Sequence, residues 1–247
     1  MRITVALSFL AALCTVGAIP TSTDLEILRL RVRDMKWNVE TVIRQLQLLR
    51  VQTEDDTLRQ VSLKWDEEQD SHRTYKTLLL SGIRSEIDAA KAEGRNVDSC
   101  YQEAIDGIEN NEKVAYDDAS KCEDAARNSI HNNLGFIDSL ILTGNTLSME
   151  CDNIFLNCHD SDIYRMQSCI IGELARAEGA LRTLEGDSIN AEITIAPVSK
   201  NVIMQAGNCI KQAYSITYSA GVMIRMRVTQ CIQLQTTTTT NLAPEIP

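Results

Sequence analysis

Cys100 and Cys122 are 22 residues apart, and so are Cys209 and Cys231. At about 3.6 residues per turn that offset is close to six turns, so each pair would share one helix face with its members roughly 33 Å apart. A disulfide needs Cα atoms within about 7 Å, so neither pair can close on itself if its helix is unbroken. Two helices with matched spacing can instead be stitched at both ends. Antiparallel helices would join Cys100 to Cys231 and Cys122 to Cys209; parallel ones would join Cys100 to Cys209 and Cys122 to Cys231. Cys151, Cys158 and Cys169 lie between the pairs. On one continuous helix Cys151 and Cys158 would be about 10 Å apart and unable to bond. Their pairing therefore depends on a loop around Asn157 to Ser161, or on partners elsewhere.

The rest of the chain is written for helix. No proline occurs between Pro20 and Pro197 and no glycine between Gly17 and Gly82, in segments rich in Leu, Arg, Glu, Gln, Lys and Ala. From Leu25 to Leu49 a heptad holds without a miss: Leu25, Val32, Val39 and Leu46 at one position, Leu28, Met35, Val42 and Leu49 at the other. In a parallel self-dimer along this seam Arg31 would face Lys36 of its partner, so the seam is expected to pack on the acidic segment that follows it. Thr53-Glu54-Asp55-Asp56 has the form of an N-cap with acids in the first turn, which predicts an N-terminal helical hairpin turning there.

Further along, Leu58, Val61, Trp65, His72, Tyr75, Leu79, Ile83 and Ile87 recur at threes and fours to about Glu93, and Gly94-Arg95-Asn96 supplies a stop. A third helix is expected from Asp98, its cap, to about Asn132-Asn133. Gly144-Asn145-Thr146 predicts another break, followed by helices over about Leu147 to Leu156 and Asp162 to Leu184. Gly186-Asp187 should close the latter. Ile189 to Ala196 is β-branched and reads as extended, and Pro197 fits the first turn of a last helix running to about Leu234. The Thr/Pro segment 236–247 carries no core residues and reads as a disordered tail of O-glycosylated composition. There is no Asn-x-Ser/Thr site.

Compartment follows from the other end of the chain. Arg2, an apolar run from Ile3 to Val16, and the small residues Val16-Gly17-Ala18 form a signal-peptide pattern, so 1–18 is expected to be cleaved. Removing it takes Cys14 and Arg2, which leaves seven cysteines and 23 basic against 34 acidic residues. An odd count in an oxidising compartment favours three bridges plus one free, modified or intermolecular thiol, the last giving a disulfide-linked dimer. The acidity is concentrated in residues 53–124, with nineteen acidic against nine basic side chains. That balance argues against nucleic acid or an anionic membrane surface as a partner, and no later segment is apolar enough to span a membrane. Aromatic residues are only 4% of the chain, too few for the stacking platforms that sugars or bases need.

Residues that could carry chemistry are sparse. Cys151, Cys158, His159 and Cys169 lack the tight two-to-four residue gaps of structural zinc sites. The three histidines, His72, His131 and His159, adjoin no nucleophile, metalloprotease or nucleotide motif. His72 falls on an apolar face with Trp65 and Leu79, as a core or boundary residue does. Asp66/Glu67/Glu68 and Asp117/Asp118 sit in helical pattern without the glycine-turned loop that calcium-binding hands require. No catalytic, metal or cofactor residue is therefore expected.

The cysteine order resembles that of the TsetseEP-domain family of insect secreted proteins. The resemblance runs from Cys100-Tyr101 to Cys122, through Met149-Glu150-Cys151, Cys158 and Cys169, to Asn208-Cys209 and Cys231-Ile232, with Tyr116 and Tyr218 as further neighbours. It covers somewhat over half of the chain and leaves the heptad region outside. It implies a small helical extracellular protein of gut or body fluid with no established catalytic residue, and a structural role for all seven cysteines: Cys100, Cys122, Cys151, Cys158, Cys169, Cys209 and Cys231.

The expectation is an all-α, elongated, disulfide-stapled helical bundle with an N-terminal heptad-patterned hairpin. Its divisions are 1–18 signal peptide, 19–95 hairpin, 96–235 cysteine-stapled domain and 236–247 tail. The expected function is binding of an extracellular protein or surface partner, without catalysis or cofactor. A second reading is a carrier of small apolar molecules in a cavity lined by Met204, Met223, Ile224 and Met226.

Overall fold

A computed structural model describes residues 22–240 of the chain; the expected signal segment and residues 241–247 lie outside them. Four helices account for nearly all of it: α1 (Ser22–Ala92), α2 (Asp98–Asn133), α3 (Gly135–Asn157) and α4 (Ile163–Thr240). There is no strand among the described residues. The fold is an all-α bundle stapled by three disulfides.

Several expected breaks do not occur, for one shared reason: the buried positions keep a three-and-four spacing straight through them. α1 is a single helix, so there is no hairpin at Thr53. The hydroxyl of Thr53 donates back to the Leu49 carbonyl at 2.7 Å and that of Thr57 to the Thr53 carbonyl at 2.6 Å. The would-be capping hydroxyl of Thr53 is thereby bonded within one continuous helix. α3 runs through Gly144, which is buried between Ile137 and Leu147. α4 runs through Gly186, through the β-branched 189–196 segment and through Pro197. Ser188, Ala191, Val202, Ala206 and Ile210 are all buried at helical spacing, and this packing outweighs a β-branched propensity cost of about half a kcal/mol per residue. Pro197 is exposed, so the carbonyl of Ile193 that loses its donor lies on the solvent side. Thr236–Thr240, expected to be tail, are the last residues of α4.

The expected stop after α1 is present. Gly94 has φ +81°, its N–H donates to the Lys91 carbonyl and that of Arg95 to the Ala90 carbonyl, which closes the helix in a Schellman motif. Asp98 opens α2 as its first residue rather than as a side-chain cap. Asp162 does cap α4, accepting from the N–H of Tyr164 at 2.9 Å.

The chain divides into two compact units, and α1, α3 and α4 each contribute to both. The first comprises residues 22–42 and Thr143–Leu184. Its core takes Leu28, Val32, Met35 and Val39 from the α1 heptad, Leu147 and Ile154 from α3, and Ile170, Leu174 and Leu181 from α4. Arg31 and Lys36, beside this heptad, meet other helices rather than the acidic segment that follows it. Arg31 pairs with Glu178 at 3.1 Å and Lys36 with Asp152 at 2.7 Å.

The second unit comprises Ile43–Leu142 and 185–240. α1, α2, α4 and Val97 in the turn between α1 and α2 form its core, through Leu79, Ile83, Ile87, Ala104, Ile108, Ile224 and Val228, among others.

Candidate functional site

The bridges decide between the two stitching schemes. Cys100 is bonded to Cys231 with Cα atoms 5.9 Å apart, and Cys122 to Cys209 with Cα atoms 5.8 Å apart, so α2 and α4 run antiparallel. Cys158, just past the end of α3, bonds Cys169 in the first turns of α4, across the short connection between the two helices. Cys151 is not in a bridge, contrary to its place among the disulfide candidates. It lies two turns before Cys158 in sequence, is the free cysteine among the described residues, and is buried at 1% exposure. Burial is the main influence raising its thiol above the usual range, reinforced by Asp152 and Glu150 and partly offset by Lys36.

Small residues make up much of the seam that the two bridges hold between α2 and α4. Ala104, Ala115, Ala119 and Ala126 are buried on α2 beside Ile108 and Ile130, with Ala206 and Ala213 on α4. A Cβ on Gly107 would come 3.3 Å from Ile224 Cδ1. This small-residue stripe is not visible in the spacing of the large apolar residues. Its signal was alanine and glycine recurring at helical spacing between Cys100 and Cys122.

His72 is the buried histidine of the second unit, at 4% exposure. Its ring stands among Tyr75, Tyr214 and Tyr218, with centroids 6.5, 5.5 and 6.1 Å away. These side chains tie α1 to α4. The Trp65 indole Nε1 donates to the Tyr214 hydroxyl at 3.2 Å, and the Tyr75 hydroxyl donates to the Tyr218 carbonyl at 3.0 Å. Glu112 of α2 reaches in from the third helix, 3.9 Å from His72 Nδ1 and 2.6 Å from Lys76 Nζ. Desolvation lowers the His72 pKa most, Glu112 opposes that, and Lys76 adds to it. Burial likewise raises the three tyrosines. The cavity beside the imidazole is about 10 Å³, space for one water, and leaves no room for a reacting group.

The other two histidines are elsewhere. His131 Nδ1 accepts from Arg50 Nη2 at 3.3 Å and lies 3.6 Å from Glu54, while Arg50 also pairs with Glu54 and Asp138. His159 is exposed in the turn between α3 and α4. The acidic runs are surface groups with lysine partners: Glu67 pairs with Lys64 and Asp118 with Lys121, each at 2.7 Å. Among the described residues no three His, Cys, Asp or Glu side chains gather as a metal-binding group.

The methionines expected to line an internal cavity do not converge. Met204, Met223 and Met226 are all more than half exposed, whereas Ile224 is buried in the core at 7%. Met226 instead lines an open groove of about 480 Å³ between α1 and α4, with Tyr75, Leu78, Leu79 and Val222. Arg225 and Thr229 stand at its edge, both bonded to the Glu86 carboxylate. Among the described residues no helix is long and apolar enough to cross a membrane.

No protein-family model, curated protein or solved structure matches the chain.

Proposed function

We propose that this chain is a secreted binding protein without catalytic activity or cofactor, presenting helical surfaces held in fixed register to a protein or surface partner in extracellular fluid. The observation that carries this reading is the double clamp of α2 on α4 by Cys100–Cys231 and Cys122–Cys209. Disulfides of this kind form and persist in oxidising compartments. They also hold exposed side chains on two helices in constant relative position, which lowers the ordering cost of binding. The enclosure of His72 by tyrosine rings supports the non-catalytic part. The resemblance of the cysteine order to the TsetseEP-domain family makes insect gut contents and body fluid the first places to look for the partner.

A pull-down with the bridge-intact chain, repeated after reduction and alkylation, tests this reading. A partner retained only by the bridged form supports it. An activity lost on His72→Ala, in a chain that keeps its helicity, would replace it with an enzyme.

The α1–α4 groove favours a second reading, carriage of small apolar molecules along Leu78, Val222 and Met226. Saturable binding of an apolar fluorescent probe, weakened by Val222→Glu, would support it. A disulfide-linked dimer through Cys151 is a poorer reading, because the thiol must first be unpacked from the first unit's core.

A further inference from the structure

α1 carries a second heptad series, roughly opposite the buried one. Ile27 and Leu30 begin it, Asp34 and Trp37 follow, then Thr41 and Arg44, then Leu48 and Val51. The five large apolar members stand in solvent: Ile27 is 54% exposed, Leu30 47%, Trp37 62%, Leu48 57% and Val51 54%. A repeat of this length on the outward face of one unbroken helix is an organised stripe rather than the scatter of single apolar residues that soluble surfaces carry.

We infer that this stripe is a self-association seam, which a second copy of the same chain covers with its own α1 running antiparallel. The two charged members decide the orientation. In a parallel pair Asp34 would face Asp34 and Arg44 would face Arg44, two like-charge contacts. In an antiparallel pair with its two-fold axis near Val39, Asp34 faces Arg44 of the second copy, and the symmetry makes that contact twice. The same register sets Ile27 against Val51, Leu30 against Leu48 and Trp37 against the uncharged Thr41, so no layer sets like charges against each other or a charge against an apolar residue. Shifting one chain by a heptad in one direction puts Asp34 against Trp37 and Ile27 against Arg44; in the other direction it puts Asp34 against Val51. Charge and apolar matching therefore coincide in a single register. Of the flanking positions, Asn38, Gln45, Gln47 and Gln52 are uncharged and Glu26, Arg31, Arg33 and Glu40 are charged; Glu40, nearest the two-fold axis and so nearest its own copy, has Lys36 3.8 Å away to offset that repulsion. The overlap spans about 37 Å of helix and closes on itself by two-fold symmetry, so it yields a dimer and not a filament.

Sedimentation velocity of the full chain with its bridges intact, over a range of concentration, tests this. Non-reducing electrophoresis beforehand identifies any covalent dimer. The wild type is expected to dimerise reversibly. Asp34→Lys or Arg44→Glu alone should weaken the dimer by about tenfold or more, and the double exchange Asp34→Lys/Arg44→Glu should restore it, because the charge pair is re-formed with its signs reversed. Trp37→Gln, at an exposed site that does not enter either unit's core, should weaken the dimer with helicity unchanged. A chain that stays monomeric at every concentration overturns the inference. So does a dimer indifferent to the single exchanges and to Trp37→Gln, one that the double exchange leaves broken, or one held covalently through Cys151.

Discussion

The hydroxyl of Tyr75 donates to the backbone carbonyl of Tyr218 at 3.0 Å, although the two residues are 143 apart in sequence. α4 approaches Tyr75 closely enough for this bond because residue 221, one turn on, is glycine. A Cβ there would collide with the Tyr75 hydroxyl and lie 2.9 Å from Leu79 Cδ2.

Gly221→Ala should therefore destabilise the chain by about 1–3 kcal/mol through overpacking, although alanine is the better helix former. Gly186→Ala is the control: nothing lies within 4 Å of a Cβ at that position of α4. It should stabilise by up to about 1 kcal/mol. Urea unfolding of both variants checks the pair, and equal effects would contradict the close approach.

His72 predicts a pH dependence whose sign follows from linkage. Its folded pKa is lowered, with desolvation as the first cause, so the unfolded chain binds more protons than the folded one between the model-peptide value near 6.5 and the lower folded value. Stability should therefore fall as pH drops below about 6.5 and level off once the folded-state value is passed. The slope attributable to this group should vanish in His72→Gln. Unfolding midpoints from pH 4 to 8 for both proteins provide the measurement.

Cys151 should be the thiol that peptide mapping without reduction finds unpaired, beside the linked pairs Cys100–Cys231, Cys122–Cys209 and Cys158–Cys169. Buried, and with its thiol shifted up, it should resist a maleimide in the folded protein and react promptly in denaturant. Fast labelling of the native chain would show that the first unit's core opens around it.

Replacing Cys122 and Cys209 together by serine should cost about 2–4 kcal/mol, mainly by freeing the unfolded chain. The loss should be smaller for the Cys158/Cys169 pair, which closes a sequence separation of 11 instead of 87. Thermal melts of the two double variants, compared with the parent, rank them.

Much of the fold was legible because helix periodicity is a local property. The heptad from Leu25 to Leu49 marked the face of α1 that is buried, Gly94 marked its end, and the equal 22-residue offsets showed that α2 and α4 can be bridged to one another at both ends. The errors have one physical origin. Thr53, Gly144, Gly186 and Pro197 are local break signals, each amounting to a few kcal/mol at most, and each sits within a run of buried side chains that continues the helix.

By itself the sequence determined helical structure, the presence of paired staples, and which faces are apolar. Only the tertiary structure decided that α2 and α4 are antiparallel, that Cys151 stands alone, and that His72 is enclosed by tyrosines from α1 and α4. Those outcomes depend on which distant segments meet, and a repeat in one helix encodes the face that will be buried but not the helix that will bury it.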